Sequence, residues 1–188
     1  MNLFLFGASL RKNSYNKQLI AIATQIAREQ GVTCDLADFG LFDAPLYNED
    51  IEKNIGWPTN ITTFIKRMKN ADGLVISSPE YNHSTPGTLK NLIDWVSRVK
   101  PTPWKNYPVL LMSASPSVVG GNRGLWATRI PLECCGSFVF PDMFSLSQAA
   151  GIFDEQGRLK DDKTLQRLQK NIQGFIAYTK ALKALSAA

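Results

Sequence analysis

Hydrophobic positions form short continuous runs along the chain, and stretches with helical spacing separate these runs. A short apolar run that ends in turn-forming residues is typical of a strand buried on both faces. The second run alternates only loosely between apolar and polar residues, and the last run is short. We predict five strands, over residues 2–6, 32–39, 73–78, 108–112 and 138–140.

The stretches between these runs repeat apolar residues at the three- and four-residue intervals of amphipathic helices. The first helix is predicted to follow Ser14, and the second to begin after Pro58. At the third helix, we predict Thr85 as the hydroxyl cap and Pro86 in the first turn. Residues 41–57 lack an apolar repeat, so we predict an irregular connection there.

Two further helices complete the alternation. One is predicted over residues 123–135, where Pro131 is expected to kink or shorten it, and a long helix runs from Leu165 to Leu182. Strands that alternate with helices form parallel sheets, because each helix carries the chain back to the same edge. We therefore predict one domain over residues 1–188, a doubly wound α/β fold with a five-stranded parallel sheet.

The composition is that of an ordinary globular protein, with 188 residues of which 44% are hydrophobic and 20% are charged. The net charge of +5 favours anionic ligands, although a solvated basic surface is the simpler explanation. Because the lysines and arginines are scattered, nucleic acid is not expected as a partner. No apolar stretch reaches the length of a membrane span and no leader pattern is present, which predicts a soluble, cytoplasmic protein without a membrane partner.

Three cysteines and a single histidine limit the metal and thiol chemistry of the chain. Cys34, Cys134 and Cys135 lack the spacing of a metal site, and an odd number cannot form a closed set of disulfides. We expect them to be reduced, buried apolar groups. His83 cannot build a zinc site of several histidines, so no metal is predicted.

Polar loops follow the first, third and fourth predicted strands. In open parallel sheets, ligands bind beyond the carboxyl ends of the strands, near the point where the strand order reverses. We therefore expect these three loops to lie side by side and to form the functional site.

The first loop, "GASLRKNSYN" over residues 7–16, carries short hydrogen-bond donors at the start of a helix: Ser9, Arg11, Ser14 and Asn16. Unpaired backbone N–H groups at a helix start favour an anion. The loop contains neither GxGxxG nor GxxxxGK[ST], so a phosphate monoester held by side-chain hydroxyls is the better hypothesis. The alternative is that the serine only caps the helix and the arginine is a surface cation.

The other two loops suit a flat ligand. In "PEYNHSTPG", residues 79–87, two prolines fix a backbone whose polar groups could bind a planar heterocycle beside Tyr81. His83 is expected to be exposed there without a catalytic role. The third loop, residues 113–123, has small side chains and a Gly-Gly pair that allow close approach of a ring. The alternatives are a plain connection and a flexible hinge.

Four segments, "SLRKNSYN", "PEYN", "PGTLKNLIDW" and "GGNR", occur in this order and together resemble the NADPH-dependent FMN reductase family. That family includes NAD(P)H:quinone, chromate and azo-dye reductases, and the resemblance implies its flavodoxin-like fold. It extends from residue 3 to about residue 178. The first two segments are specific in combination, whereas "GGNR" alone is a weak signal.

The resemblance also implies a cofactor site in the three loops. The first loop would hold the FMN phosphate, the second would border the isoalloxazine and ribityl chain, and the third would close the other side of the ring. By position, these residues are Ser9, Arg11, Ser14, Tyr15 and Asn16 in the first loop, Pro79, Glu80, Tyr81 and Asn82 in the second, and Ser113, Ala114, Ser115 and Gly121 in the third.

Three positions depart from the family pattern. The family often has glycine where this chain has Ala8 and Asn13, and asparagine is among the residues that best tolerate a positive φ. Pro116 removes a backbone donor from the third loop, which alters the expected ring contacts there. None of the three changes removes a phosphate donor.

The activity that the resemblance implies is hydride transfer from NADPH or NADH to FMN, followed by reduction of quinones, flavins or similar small acceptors at the same place. This is a ping-pong mechanism in a homodimer or homotetramer. Because the flavin supplies the reactive atom, we predict no catalytic acid, base or nucleophile in the chain.

Two other functions remain open at this stage. The first is a flavodoxin-like electron carrier without efficient NAD(P)H oxidation, or a relative of that fold that has lost its flavin. Carriers that dock basic partners are expected to be acidic, so the positive net charge argues against this reading. The second is a phosphate-ester hydrolase, which is disfavoured because the first loop contains no cysteine.

Overall fold

The computed structural model describes the backbone of residues 1–187 and contains a parallel sheet with helices on both faces. The sheet order is β2-β1-β3-β4-β5, and β6 pairs with the far end of β4. The strands are β1 (Asn2–Gly7), β2 (Thr33–Asp38), β3 (Gly73–Ser77), β4 (Pro108–Ala114), β5 (Phe138–Val139) and β6 (Phe144–Leu146).

Six α-helices connect or follow these strands in the described part of the chain. They are α1 (Tyr15–Glu29), α2 (Glu49–Ile55), α3 (Thr59–Lys69), α4 (Gly87–Ser97), α5 (Asn122–Cys134) and α6 (Asp162–Ala187). This alternation confirms the predicted doubly wound α/β class.

The two faces of the sheet bury separate apolar cores. Along β1, Phe4 and Phe6 face the core shared with α3, α4 and α5, whereas Leu3 and Leu5 face the core shared with α1 and α6. All four side chains are fully buried, because successive residues of a strand point to opposite faces of the sheet. The continuous apolar run that predicted this strand is therefore explained by two covered faces.

The last sheet position differs from the predicted strand at 138–140, because two short segments fill it. Phe138–Val139 pairs with the start of β4, and Phe144–Leu146 pairs with Met112–Ala114 at its end. Pro141 separates the segments, since proline has no N–H to donate to the ladder. The second segment has only three residues, which is too short for its pattern to be recognised.

The connection at 41–57 was predicted to be irregular, and this is wrong for part of it. A 3-10 turn covers Phe39–Phe42, and α2 covers Glu49–Ile55. Asn48 caps α2, its side-chain oxygen accepting a hydrogen bond from the Asp50 N–H at 2.8 Å. The helix buries none of its residues, so it has no apolar repeat from which it could be predicted.

The predicted helix ends are confirmed in part. Ser14 caps α1, which is the alternative role considered for it above, and α3 begins directly after Pro58. The predicted cap at Thr85 is wrong: its hydroxyl lies 3.0 Å from that of Thr128 on α5, and α4 has no side-chain cap. Pro131 was expected to kink or shorten its helix, yet α5 continues through it to Cys134.

The cysteines do not match the prediction of three buried groups. Cys134 is exposed, whereas Cys34 and Cys135 are half-buried. Burial raises the pKa of the Cys34 and Cys135 thiols, which keeps both protonated near neutral pH. Among the described helices, none has the length and apolar character needed to cross a membrane.

Candidate functional site

The carboxyl ends of β1, β3 and β4 lie side by side, with Gly7 opposite Ser77 and Ser77 opposite Met112. The loops that follow these strands enclose a cleft of about 450 Å³, a volume within the usual range for small-molecule sites. Its lining consists of Ser9, Arg11, Ser14, Tyr15, Asn16, Pro79, Glu80, Tyr81, Ala114, Ser115 and Pro116. The predicted convergence of the three loops is therefore present.

The first loop offers hydroxyl donors at the start of α1. Ser14 Oγ accepts a hydrogen bond from the Asn16 N–H at 3.2 Å, and Ser9 Oγ accepts one from the Arg11 N–H at 3.3 Å. A hydroxyl that accepts one hydrogen bond keeps its own proton for another acceptor. Both serines are almost fully buried, so their positions are fixed before any ligand binds.

Gly7 allows α1 to begin this close to β1. A Cβ at this position would lie 2.9 Å from the Asn16 carbonyl oxygen and 3.1 Å from the Lys17 Cα, both in the helix backbone. Any larger residue would push the first turn of α1 away from the strand end. The close approach keeps the helix N-terminus, with its partial positive charge, at the cleft.

Asn16 lines the cleft, and its side-chain amide also bonds to two of the strand ends. Its side chain is 3% exposed, and its Nδ2 donates to the Ala114 carbonyl at 2.9 Å. Its Oδ1 accepts from the Ala114 N–H and from Ser77 Oγ, each at 2.9 Å. Because the amide bonds to both β3 and β4, it fixes the start of α1 to the ends of these two strands.

The second loop turns back on itself in a two-residue hairpin. Tyr81 and Ser84 exchange two backbone hydrogen bonds of 3.1 and 3.0 Å, and Asn82 and His83 between them have φ values of 51° and 61°. Positive φ at both central residues is characteristic of a type I′ turn. The turn leaves Tyr81 in the cleft lining, whereas the predicted site residue Asn82 is not part of this lining.

Asn13, where the family often has glycine, does not adopt a positive φ. That residue needs no conformation reserved for glycine, so the departure from the family pattern at this position leaves the turn unstrained.

Glu80 joins the second loop to α5. Its Oε2 accepts a hydrogen bond from the Gly124 N–H at 2.7 Å, and a carboxylate is favourable at this helix end. A Cβ on Gly124 would lie 2.9 Å from Glu80 Cβ and 3.0 Å from its Cα. Glycine at position 124 is therefore required for the helix to approach the loop.

The third loop places only part of its predicted residues in the cleft. Ala114, Ser115 and Pro116 line it, whereas the predicted residues Ser113 and Gly121 are buried and are not part of this lining. Gly121 has a φ of 81°, and a Cβ there would overlap Ser113 Oγ at 2.0 Å. Ser113 Oγ itself is buried without a hydrogen-bond partner among residues 1–187.

His83 and Arg11 are the titratable and charged side chains of interest near the mouth of the cleft. His83 is exposed, as predicted, and its Nε2 lies 3.2 Å from Nη1 of Arg123, outside the cleft lining. Arg11 is the cation of the lining, and within the described chain it forms no ion pair with a carboxylate. The cleft therefore has a guanidinium, two oriented hydroxyls and a helix N-terminus, which together fit a phosphate monoester.

Comparisons with known proteins agree with this geometry. Residues 1–151 match the family model of the NADPH-dependent FMN reductases. The chain is 35% identical over 182 residues to an NAD(P)H-dependent FMN reductase of Pseudomonas aeruginosa, covering 93% of each protein. It is 32% identical over 177 residues to a quinone reductase of Escherichia coli K12, again covering 93% of each.

Solved structures give the same result. The flavoenzyme NAD(P)H:(acceptor) oxidoreductase FerB from Paracoccus denitrificans superposes with a TM-score of 0.81 at 25% identity, covering 96% of this chain and 97% of FerB. A flavodoxin of Bacillus cereus, at 10% identity, gives a TM-score of 0.58 over 94% of this chain and 98% of its own, which shows the shared fold. The predicted flavodoxin-like fold and NAD(P)H oxidoreductase activity are confirmed, and the chain belongs to the NADPH-dependent FMN reductase family.

Proposed function

We propose that this chain transfers hydride from NADPH or NADH, through FMN bound in the strand-end cleft, to quinones, flavins or similar small acceptors. The observation that carries the proposal is the group of anion donors in the first loop, where the Ser9 and Ser14 hydroxyls and the Arg11 guanidinium line one end of the cleft. A phosphate dianion is stabilised by such charge-assisted hydrogen bonds.

The remaining lining would orient the flavin ring. Pro79 and Glu80 form one wall, fixed to α5 through the Gly124 N–H, and Ala114 and Ser115 form another. When bound, FMN supplies the ring that accepts a hydride from NAD(P)H and passes the electrons on. The backbone of these walls would hold the ring and leave one of its faces open to solvent.

Tyr81 lies at the open side of the cleft with 53% of its surface exposed. Its ring offers a flat apolar contact for a nicotinamide or a quinone. Since both the hydride donor and the acceptor need the open face, they would occupy it in turn, which is the ping-pong order. This arrangement requires no acid or base from the chain.

An anaerobic titration of the purified protein tests this function. We expect the protein to be yellow, and NADPH or NADH to bleach the flavin absorbance within seconds, with quinone restoring it. Slow bleaching by both nucleotides would contradict the proposal and favour the electron carrier. A protein that binds no FMN when it is supplied in excess would contradict the cofactor assignment itself.

We also propose that the chain forms a homodimer or a dimer of dimers through the exposed apolar face of α5. Trp126 and Ile130 lie one turn apart on this helix and are 56% and 70% exposed, and Val118, in the loop that leads into the helix, is 79% exposed. Apolar groups clustered at the surface favour association.

The three free cysteine thiols support an assignment of the protein to the reducing cytoplasm.

Sedimentation equilibrium measures the assembly. We expect the mass of a dimer or tetramer for the wild type and of a smaller species for Ile130→Arg, because a charge at this position would be buried in the interface. Leu185→Arg is the matched control, since Leu185 is 74% exposed on α6, and it should leave the mass unchanged. A monomeric wild type would refute the assembly.

A further inference from the structure

The Arg11 side chain rests on an aromatic ring next to the anion site. Its guanidinium carbon lies 5.4 Å from the centroid of the Tyr15 ring. An exposed arginine side chain samples many rotamers, and a cation–π contact favours those that lie over the ring. Tyr15 is the first residue of α1, so the contact holds the guanidinium close to the helix N-terminus.

The Tyr15 ring is in turn held by a stacked ring, that of Phe153. Phe153 stacks against it with a centroid separation of 6.1 Å and an interplanar angle of 7°. Both rings pack against the apolar core that α1 and α6 share. Arg11, Tyr15 and Phe153 thus form a contact chain that runs from the core to the first loop.

Phe153 is itself held by a small hairpin over residues 152–160. It pairs with Leu159 across the hairpin, and the Lys160 N–H donates to the Ile152 carbonyl at 3.0 Å. Asp154 accepts hydrogen bonds from the Gln156 and Arg158 N–H groups at 2.9 and 2.8 Å. The hydrogen bond from the Arg158 backbone N–H is the main cause that holds the pKa of the Asp154 carboxyl below its usual range. The carboxylate therefore accepts these hydrogen bonds at neutral pH.

This hairpin lies beyond residue 151, where the match to the family model ends. It does not contribute to the lining of the cleft, so its effect on a ligand is indirect. We propose that Phe153 is a positioning residue for the anion site, which fixes the Tyr15 ring and through it keeps the Arg11 guanidinium where it meets a phosphate monoester. The proposal rests on the function proposed above, because it takes the FMN phosphate as that anion.

Binding of FMN and riboflavin to Phe153→Leu tests the proposal, since the two ligands differ only in the phosphate. Leucine keeps an apolar group against the core but removes the stacked ring. We expect the Kd of FMN to rise about three- to fivefold, the size of an exposed cation–π contact, and the Kd of riboflavin to stay unchanged. Phe153→Tyr, which retains the ring, should bind both ligands as the wild type does.

A double-mutant cycle separates positioning from a general loss of structure. In an Arg11→Ala background, Phe153→Leu should no longer change the FMN affinity, because the group that it positions is absent. Equal weakening of FMN and riboflavin by Phe153→Leu, or an undiminished effect in the Arg11→Ala background, would overturn the proposal. Failure of the wild type to bind FMN would instead refute the proposed function, so the two failures are distinguishable.

Discussion

Replacing Asn16 with alanine is expected to lower the free energy of unfolding by about 3–5 kcal/mol and to abolish FMN retention. The amide bonds to Ala114 N–H, Ala114 C=O and Ser77 Oγ, and all of these groups are buried. Without it they lack partners in a place that water reaches poorly, and each buried unpaired group costs about 1–3 kcal/mol. The start of α1 would also lose the contact that fixes it to the ends of β3 and β4.

Urea denaturation followed by the fluorescence of the four tryptophans measures the stability change. Asn13→Ala is the matched control, because the same substitution is made in the same loop at an exposed position. It should change the free energy of unfolding by no more than about 0.5 kcal/mol. An Asn16→Ala variant that unfolds at the wild-type urea concentration and stays yellow would refute the bracing role.

Replacing both Arg11 and Ser14 with alanine is expected to raise the Kd of FMN at least about a hundredfold. A hydrogen bond to a charged group contributes about 1.5–3 kcal/mol, and the double variant loses two such donors. Since Ser14 also caps α1 through the Asn16 N–H, its loss should cost about 1 kcal/mol of stability without unfolding the protein. The first loop would keep Ser9 as its remaining hydroxyl.

Fluorescence titration with FMN and with riboflavin checks this expectation. Riboflavin affinity should be unchanged in the double variant, because that ligand has no phosphate. Lys12→Ala removes an exposed cation from the same loop and controls for the change in net charge. If the purified double variant keeps its full complement of FMN, the phosphate is bound elsewhere.

The sequence was sufficient to predict the fold class because both faces of the central strands are covered. Continuous apolar runs such as residues 2–6 and 73–78 can only be buried in a sheet with helices on each side. The same reasoning placed the three loops at one edge. It could not detect α2, none of whose residues is fully buried, or the three-residue strand β6.

Within the candidate site, residue types were predicted better than their roles. The pattern of short polar residues identified the first loop, but it could not distinguish Ser14, whose hydroxyl faces the cleft, from Asn16, whose amide bonds to distant strands. That difference depends on contacts with Ala114, 98 positions away along the chain. Similarly, Gly121 and Ser113 pack against each other, which only the folded backbone reveals.

The role of Phe153 was also beyond the sequence. An isolated aromatic residue after the last strand carries no periodic signal, and its stacking on Tyr15 connects segments that are far apart in the chain. The segment "GIFDEQGR" is typical of a turn in which an aspartate accepts backbone hydrogen bonds, as Asp154 does. This pattern was the clue in the sequence to the hairpin that holds Phe153.

The divided outer strand has a mechanical consequence for the two walls of the cleft. The Ser115 N–H donates to the Leu146 carbonyl and the Ala149 N–H donates to the Ser115 carbonyl, so this wall is attached to the short strand β6 at the edge of the sheet. The phosphate end, in contrast, is anchored to β1 in the sheet interior. Margins with few ladder bonds open at lower free energy than central strands. We therefore expect the phosphate end of the cleft to be rigid and the Ser115 wall to open more easily. A ligand can then stay bound by its phosphate while the contacts to its ring form and break.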